Sequence, residues 1–273
     1  MAIKLIALDL DGTLLKSKRK IHPKNLAMVH RVYQEKPEIK IVIATGRAPL
    51  STIKHAKKCL INPKTPGQVI CYNGGNIIDF IDDKQKLLFE SVLLPSQTKV
   101  ILEFARKNNL RFWAYGTDNK TAYVDRYSLR GYILEHFQKL KVKKISENQI
   151  VSFYKVLFFC KSKKQLAEML KKMAKYQDLE VASSSHLLIE VTPVGINKAN
   201  GLKFLAEKWN IKPEEILACG DSMNDYKMLQ WVKYGIAMKN ANPELKTVAY
   251  EVTSKTNKKA GVAQAIEKYV FSS

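Results

Sequence analysis

The first ten residues carry the pattern that most restricts the fold. From Ile3 to Leu10 only Lys4 and Asp9 are polar. A short apolar run of this kind is typical of a strand buried on both faces, as in a parallel sheet. Open parallel sheets bind ligands just beyond the carboxyl ends of their strands. The run therefore predicts a parallel sheet, with a ligand site where this strand ends.

Two carboxylates stand at that strand end, in the sequence Asp9-Leu10-Asp11-Gly12-Thr13. Residues i and i+2 of a strand face the same side, so Asp9 and Asp11 can point at one object. Like charges this close repel unless a cation or a shared proton relieves them, and Mg²⁺ is a hard cation that takes oxygen ligands. Gly12 permits a sharp turn, and Thr13 adds a hydroxyl. The alternative is a turn rich in Asp and Gly that only ends a strand.

A similar polar cluster follows the second predicted strand, Ile39 to Ala44. The strand ends in Thr45-Gly46-Arg47, and a helix begins near Ala48-Pro49. A hydroxyl, a glycine and a helix N-terminus together predict an anion site. The alternatives are that Thr45 is an ordinary N-cap and that Arg47 forms a surface salt bridge.

Two more clusters lie in the last third of the chain. Lys198 leads into a predicted helix from Ala199 to Trp209, and a later apolar strand precedes a loop with Asp221, Asn224 and Asp225. Taken alone, Lys198 fits a solvated helix lysine and the loop fits a polar capping loop. Taken together with the earlier clusters, each lies where a predicted strand ends or a helix begins.

The middle of the chain follows a different pattern. After a predicted hairpin around 82–85, the order strand, helix, strand, strand occurs twice, with helices predicted at 97–108, 129–140 and 164–176. This order is typical of a compact α+β unit. The simplest organisation is a doubly wound α/β core with a mostly parallel sheet, formed by 1–84 and 191–273, that is interrupted by an inserted α+β domain at 85–190.

Composition narrows the class of protein. Of 273 residues, 46% are hydrophobic, which is enough for a large core. The longest apolar runs have the length of strands and fall short of a membrane span. Asp9 and Asp11 interrupt the region where a signal peptide would be apolar, so we expect none. The four cysteines form no CxxC pair, which favours reduced, buried thiols and a cytoplasmic location.

The net charge of +21 favours anionic partners such as phosphate esters, nucleic acid or acidic lipid. The lysines, however, are spread along predicted helix exteriors, and the sequence has no dense arginine-rich arm. A lysine-rich solvated surface is therefore preferred over a dedicated nucleic-acid patch.

The clusters also occur as motifs. DLDGT, ATGR, YNGG, GINKANGL and GDSMND together resemble the haloacid-dehalogenase-like (HAD) superfamily of phosphohydrolases, and closely its Cof-type branch, over the whole chain. The resemblance implies a Rossmann-like core and an inserted α/β cap that sets specificity. It also implies an Mg²⁺-dependent phosphatase that acts on a small phosphorylated metabolite, such as a sugar phosphate or a phosphorylated cofactor.

By this resemblance, Asp9 is the nucleophile that forms an aspartyl phosphate, and Asp11 is the acid and then the base. Mg²⁺ would be held by the Asp9 carboxylate, the Asp11 backbone carbonyl and the Asp221 carboxylate, and Asp225 would support these ligands directly or through water.

The resemblance also implies the phosphate-binding residues. Thr45 and the backbone at Gly46 would bind phosphoryl oxygens, and Lys198 would offset their charge. Asn224 would add a hydrogen bond, and Arg47 is a further candidate for substrate contact.

Other interpretations stay open at this point. A sensor that binds a phosphorylated ligand without turnover would not need the acid–base group Asp11, and a nucleic-acid-binding protein would need a contiguous basic face. In the expected cap, Phe112, Trp113 and Tyr115 fit a core better than a substrate platform.

Overall fold

The computed structural model describes residues 2–17, 20–60, 67–81, 84–127, 140–146, 149, 151–185 and 187–272. Its strands are β1 (Leu5–Leu8), β2 (Leu15–Ser17), β3 (Lys20–Ile21), β4 (Lys40–Ala44), β5 (Gly67–Cys71), β6 (Asn76–Ile81), β7 (Lys84–Glu90), β8 (Arg111–Gly116), β9 (Thr121–Val124), β10 (Lys141–Lys144), β11 (Phe153–Phe159), β12 (Leu179–Ser185), β13 (Leu188–Pro193), β14 (Ile216–Gly220), β15 (Tyr234–Ala237) and β16 (Glu251–Val252). Its α-helices are α1 (Pro23–Glu35), α2 (Pro49–Leu60), α3 (Pro95–Lys107), α4 (Lys163–Met173), α5 (Lys198–Lys208), α6 (Tyr226–Trp231), α7 (Pro243–Val248) and α8 (Gly261–Ile266).

The first sheet has β1 near its centre. Its strand order is β16-β15-β14-β1-β4-β5-β6-β7. Neighbouring strands from β16 to β5 run parallel, whereas β6 and β7 are antiparallel additions at one edge. Every side chain of β1 is fully buried. The prediction of a strand buried on both faces is therefore confirmed.

Helices pack on the first sheet in two groups. α1 contacts α2, which packs on β5, and α8, which packs on β14. α5 contacts α6 and packs on β4 and β5. Parallel strands need crossover connections, and helices serve as those connections here. The predicted doubly wound α/β core is confirmed, and it brings the carboxyl ends of β1, β4 and β14 to one edge.

The second sheet is formed by the inserted part of the chain, in the order β10-β9-β8-β11-β13-β12. Residues of α3 and α4 form a hydrophobic cluster with one face of this sheet, in which the rings of Phe104 and Phe158 stack 5.9 Å apart. The opposite face contributes Trp113, Tyr115 and Leu157 to the hydrophobic cluster of the first sheet. The inserted α+β unit is confirmed, and its open face lies against the core.

The three aromatic residues of β8 divide between these faces. Phe112 belongs to the cluster under α3 and α4, as the alternating pleat of a strand requires. Trp113 and Tyr115 point the other way and are 1% and 2% exposed. Their burial agrees with the interpretation of all three as core residues.

The domain limits 84/85 and 190/191 stay a prediction, but the strands cross them. β7 pairs with β6 in the first sheet as the second arm of a hairpin, so that sheet continues to Glu90. β13 pairs with β11 and β12 up to Pro193 in the second sheet. A hairpin keeps both of its strands in one sheet. The first strand–helix–strand–strand repeat begins with β7, which belongs to the first sheet, so only the second repeat has all its strands in the second sheet.

Other predictions have different outcomes. The predicted helix at 129–140 lies almost wholly outside the described residues, as does the tip of the predicted hairpin at 82–83. β10 was not predicted, and it pairs in parallel with β9. All four cysteines are free and buried, as expected of reduced thiols. In the described residues, no helix combines the length and apolar character needed to cross a membrane.

Candidate active site

The predicted polar clusters meet at the carboxyl edge of the first sheet. Asp9, Thr45 and Asp221 directly follow β1, β4 and β14, and Lys198 is the first residue of α5. Neighbouring parallel strands bring their last residues to the same edge, so residues far apart in the chain become neighbours in space.

Lys198 joins two carboxylates in the interior. Its side chain is fully buried, and its Nζ donates to Asp9 Oδ1 and to Asp225 Oδ1 at 2.6 Å each. Burial alone would lower the pKa of Lys198, but the charges of Asp225 and Asp9 outweigh it and raise that pKa. The other oxygen of Asp225 accepts the backbone N–H groups of Asp221 and Ser222 at 3.0 Å. Lys198 is therefore a paired, buried cation and not a solvated helix lysine.

Asp9, Asp221 and Asp225 form a cluster of carboxylates. One oxygen from each of the three lies within 4.8 Å of the others. Burial raises the pKa of Asp9 well above its ordinary value; Lys198 opposes the rise, and Asp225 and Asp221 add to it. Burial also raises the pKa of Asp221, followed by the charge of Asp225. Asp9 Oδ2 is buried and receives no hydrogen bond from the described part of the chain. Carboxylates crowded in this way, with one oxygen left over, fit a hard divalent cation.

The turn after β1 fits closely around Asp221. Gly12 has φ +83°, and a Cβ there would lie 2.1 Å from Asp221 Oδ2. The Thr13 hydroxyl donates to Asp221 Oδ1 at 3.0 Å. Gly12 is therefore needed both for its backbone conformation and for the space that it leaves.

Asp11 does not share the surroundings of Asp9. Both of its carboxylate oxygens accept hydrogen bonds from the Arg47 guanidinium at 2.5 Å, and its side chain is 51% exposed. Burial would lower the pKa of Arg47, but its hydrogen bonds and charge interaction with Asp11 raise it. Asp9 and Asp11 therefore have different partners in this structure, because β1 ends at Leu8 and the chain has already left the strand. That both carboxylates face one object stays a prediction.

Thr45 is fixed by backbone contacts. Thr45 is 1% exposed; its N–H donates to the Ile70 carbonyl at 2.8 Å, and its carbonyl accepts the N–H of Asn73 at 3.0 Å. Asn224 does not touch Thr45 in the contacts described; its Nδ2 donates to Asn73 Oδ1 at 3.1 Å.

Three residues near this site were not predicted from the sequence to be site residues. Asn73 has a left-handed backbone conformation, with φ 59°. Lys155 and Glu190 come from the second sheet and are 2% and 6% exposed. Each is a lone charged residue in a mostly apolar strand, within Phe153–Phe159 and Leu188–Pro193. A charge interrupting such a run, with an opposite charge in another such run, is the signal that could have identified the pair.

Comparison with known proteins identifies the family. The model of the haloacid dehalogenase-like hydrolase family matches residues 6–266. The chain belongs to this family. The prediction of an enzyme of the HAD phosphatase type is thereby confirmed at the level of family and reaction class.

Named relatives and solved structures agree with this assignment. The HAD-like chain is 32% identical to a 5-amino-6-(5-phospho-D-ribitylamino)uracil phosphatase of Bacillus subtilis, over 98% of this chain and 96% of the relative. A HAD-like hydrolase structure from Bacteroides thetaiotaomicron has a TM-score of 0.78 and 29% identity, and covers 97% of this chain and 99% of its own. Another, from B. subtilis, has a TM-score of 0.84 and 26% identity, with 98% and 100% covered.

Proposed function

We propose that this protein is an Mg²⁺-dependent phosphatase that hydrolyses phosphate monoesters of small metabolites through an aspartyl phosphate on Asp9. The observation that carries the proposal is the arrangement around Asp9. One of its oxygens is held by the buried Lys198 and the other has no hydrogen-bond donor in the described part of the chain. A carboxylate that is oriented but not saturated can serve as a nucleophile.

The reaction needs two jobs from two carboxylates. An Asp9 oxygen forms a bond to phosphorus while the bond from phosphorus to the ester oxygen breaks, and Asp11 gives its proton to the leaving oxygen. Asp11 then takes a proton from a water molecule, whose oxygen attacks phosphorus and releases inorganic phosphate and the free Asp9 carboxylate. In this structure Arg47 holds both oxygens of the half-exposed Asp11 carboxylate, so Asp11 has to give up this ion pair when it takes up the proton for the first step.

The cation would be held by the Asp9 and Asp221 carboxylates together with the Asp11 backbone carbonyl. Asp225 supports this arrangement through its hydrogen bonds to the N–H of Asp221 and to Lys198. When bound, Mg²⁺ supplies positive charge that favours ionised Asp9 and offsets charge on the phosphoryl oxygens.

The phosphoryl group would need hydrogen-bond donors of its own. The proposed donors are the Thr45 hydroxyl, the Gly46 backbone and the Lys198 ammonium. Asn224, which donates to Asn73 in this structure, is a further candidate. Among small phosphate esters, the name of the B. subtilis relative makes a phosphorylated ribitylamino-pyrimidine the first compound to test. Sugar phosphates and phosphorylated cofactors complete the panel.

The function is tested by phosphate release from this panel with the purified protein. We expect turnover of at least one small monoester with Mg²⁺, no release after chelation, and recovery when Mg²⁺ is restored. A protein that binds these compounds, as judged by a shift in its melting temperature, but releases no phosphate would be a sensor and not a phosphatase.

The metal assignment predicts a thermal shift that does not depend on activity. At about 100 times its Kd, Mg²⁺ stabilises a folded protein by about 2.7 kcal/mol, which corresponds to a rise in melting temperature of roughly 5 °C for a chain of this size. Asp221→Asn should lose most of this shift. The matched control is Asp178→Asn, at an exposed carboxylate, and it should keep the shift. An equal shift in Asp221→Asn would remove Asp221 from the proposed ligands.

The Gly12 turn predicts a second difference between matched variants. Gly12 and Gly195 have φ +83° and +77°, but a Cβ at Gly195 would meet only Asn200 Nδ2 at 3.8 Å. Both alanine variants should lose about 1–3 kcal/mol of unfolding free energy to backbone strain. Only Gly12→Ala should also displace Asp221, and a misplacement near 1 Å can lower kcat by about 10²-fold. Urea unfolding and kcat, measured together, check this; equal losses of kcat in the two variants would contradict it.

A further inference from the structure

A buried lysine from the second sheet contacts the proposed phosphate-binding turn of the core, which is formed by Thr45, Gly46 and Arg47. Lys155, on β11, is 2% exposed. Its Nζ donates to the backbone carbonyl of Gly46 at 2.5 Å and to Glu190 Oε2 at 3.2 Å. The contact to the carbonyl is the shorter of the two, so pairing with Glu190 does not by itself account for where this ammonium lies.

The Gly46 carbonyl belongs to the peptide unit that also carries the N–H of Arg47. That N–H donates to Thr45 Oγ1 at 3.2 Å. A peptide unit is planar and rigid, and a cation on its oxygen strengthens its N–H as a donor. Lys155 is therefore linked to the Thr45 hydroxyl through a single peptide unit. Because Thr45 Oγ1 already accepts this bond, its own O–H is left to donate to another group.

Both sides of this contact are fixed by neighbours. The Glu190 carboxylate also accepts a hydrogen bond from Asn73 Nδ2, and Asn73 Oδ1 accepts one from Asn224. A Cβ on Gly46 would lie 2.9 Å from Asn73 Oδ1 and 3.2 Å from Lys155 Nζ. The absence of a side chain at Gly46 is thus what lets Lys155 and Asn73 approach the turn.

We propose that Lys155 is a positioning residue: it holds the peptide between Gly46 and Arg47 so that the Thr45 hydroxyl points to the phosphoryl group. This inference rests on the proposed phosphatase function. It means that the phosphate-binding turn is complete only when the second sheet is seated on the core.

A double-mutant cycle tests this link. Lys155→Met, Thr45→Val and the double variant are compared by kcat for p-nitrophenyl phosphate with saturating Mg²⁺. Thr45→Val should lower kcat by roughly 10²-fold, as loss of one transition-state donor does, and Lys155→Met by roughly 10-fold, as loss of one buried hydrogen bond does. The double variant should be no slower than Thr45→Val. Losses that multiply would overturn the proposal.

Further variants separate positioning from charge balance and from folding. If Lys155 only neutralises Glu190, the double variant Lys155→Met with Glu190→Gln should regain wild-type kcat, and that result would overturn the proposal. Lys155→Arg keeps a donor for the Gly46 carbonyl and should recover much of kcat even if Lys155→Met folds poorly. Lys143→Met, on exposed β10, is the matched control and should retain wild-type kcat.

Measuring kcat of Lys155→Met on the whole panel of monoesters distinguishes positioning from a role in substrate choice. A positioning residue should lower kcat by a similar factor for every monoester tested, whereas a residue that contacts the leaving group should change their ranking, and a changed ranking would contradict positioning. A wild-type protein that releases no phosphate would defeat the proposed function and this inference with it. Multiplying losses in an active enzyme would defeat the inference alone.

Discussion

Asp9→Asn is expected to lower phosphatase turnover by about 10⁴-fold or more, the scale on which removal of a nucleophile acts in a hydrolase. Asparagine keeps the shape of Asp9, and its carbonyl oxygen can still accept the hydrogen bond of Lys198. It cannot form the acyl phosphate, and it removes one charged ligand of the proposed cation. The measurement is kcat on the best panel substrate, with far-UV circular dichroism to show that the variant is folded.

The matched control for this substitution is Asp178→Asn, in which the same change is made at an exposed carboxylate. It should retain wild-type turnover. If a folded Asp9→Asn variant also turns over at close to the wild-type rate, Asp9 is not the nucleophile.

Asp11→Ala is expected to separate two kinds of substrate. An alkyl phosphate has a poor leaving group and needs the proton of Asp11, whereas p-nitrophenol leaves well without it. General acid–base catalysis is worth about 10²–10⁴-fold, so phosphoryl transfer should slow far more for the alkyl ester than for the aryl ester. The measurement is single-turnover release of the alcohol or the phenol, because loss of the base also slows hydrolysis of the phosphoenzyme and would mask the difference in the steady state.

Arg47 supplies a useful comparison for this experiment. Its guanidinium holds both oxygens of Asp11, so Arg47→Met should release the Asp11 carboxylate without removing it. A smaller selective loss on the alkyl ester is expected from Arg47→Met than from Asp11→Ala. Equal slowing of both esters in Asp11→Ala would leave Asp11 a structural role and not the role of general acid.

The sequence was sufficient to predict the core and the residues that gather at its edge. Short apolar runs mark β1, β4 and β14, and parallel strands place the residues after them side by side, so the positions of Asp9, Thr45 and Asp221 follow from periodicity and from the direction of the strands. One helix start could be predicted as well: α2 begins at Pro49, within the expected Ala48-Pro49, where the fixed φ of proline suits the first turn.

The orientations of the side chains could not be predicted in the same way. The rule that residues i and i+2 share a face holds within a strand, but β1 ends at Leu8. Beyond that point the carboxylates of Asp9 and Asp11 separate, one towards Lys198 and the other towards Arg47. Local periodicity carries no information about such a turn.

Contacts between the two sheets were harder still to predict from the sequence. Lys155 lies 109 positions from Gly46 in the chain, and each of Lys155 and Glu190, taken alone, resembles an exposed charge on a strand. Only the seating of one sheet on the other brings them to the proposed phosphate-binding turn. The extent of the first sheet could not be predicted for a similar reason. β7 stays in that sheet because it pairs with β6 in a hairpin, although the predicted boundary between core and cap lies at its start.

The central claim is that the phosphoryl group is transferred to Asp9 as a covalent intermediate. Trapping this aspartyl phosphate tests the claim most directly. Wild-type protein and Asp11→Ala are mixed with Mg²⁺ and p-nitrophenyl phosphate, quenched in acid within the first turnover, and mapped by peptide mass spectrometry. We expect a phosphorylated Asp9, accumulating to a greater extent in Asp11→Ala because hydrolysis is slowed. Release of one equivalent of nitrophenol with no phosphoryl group on Asp9, or with the group on another residue, would contradict the account.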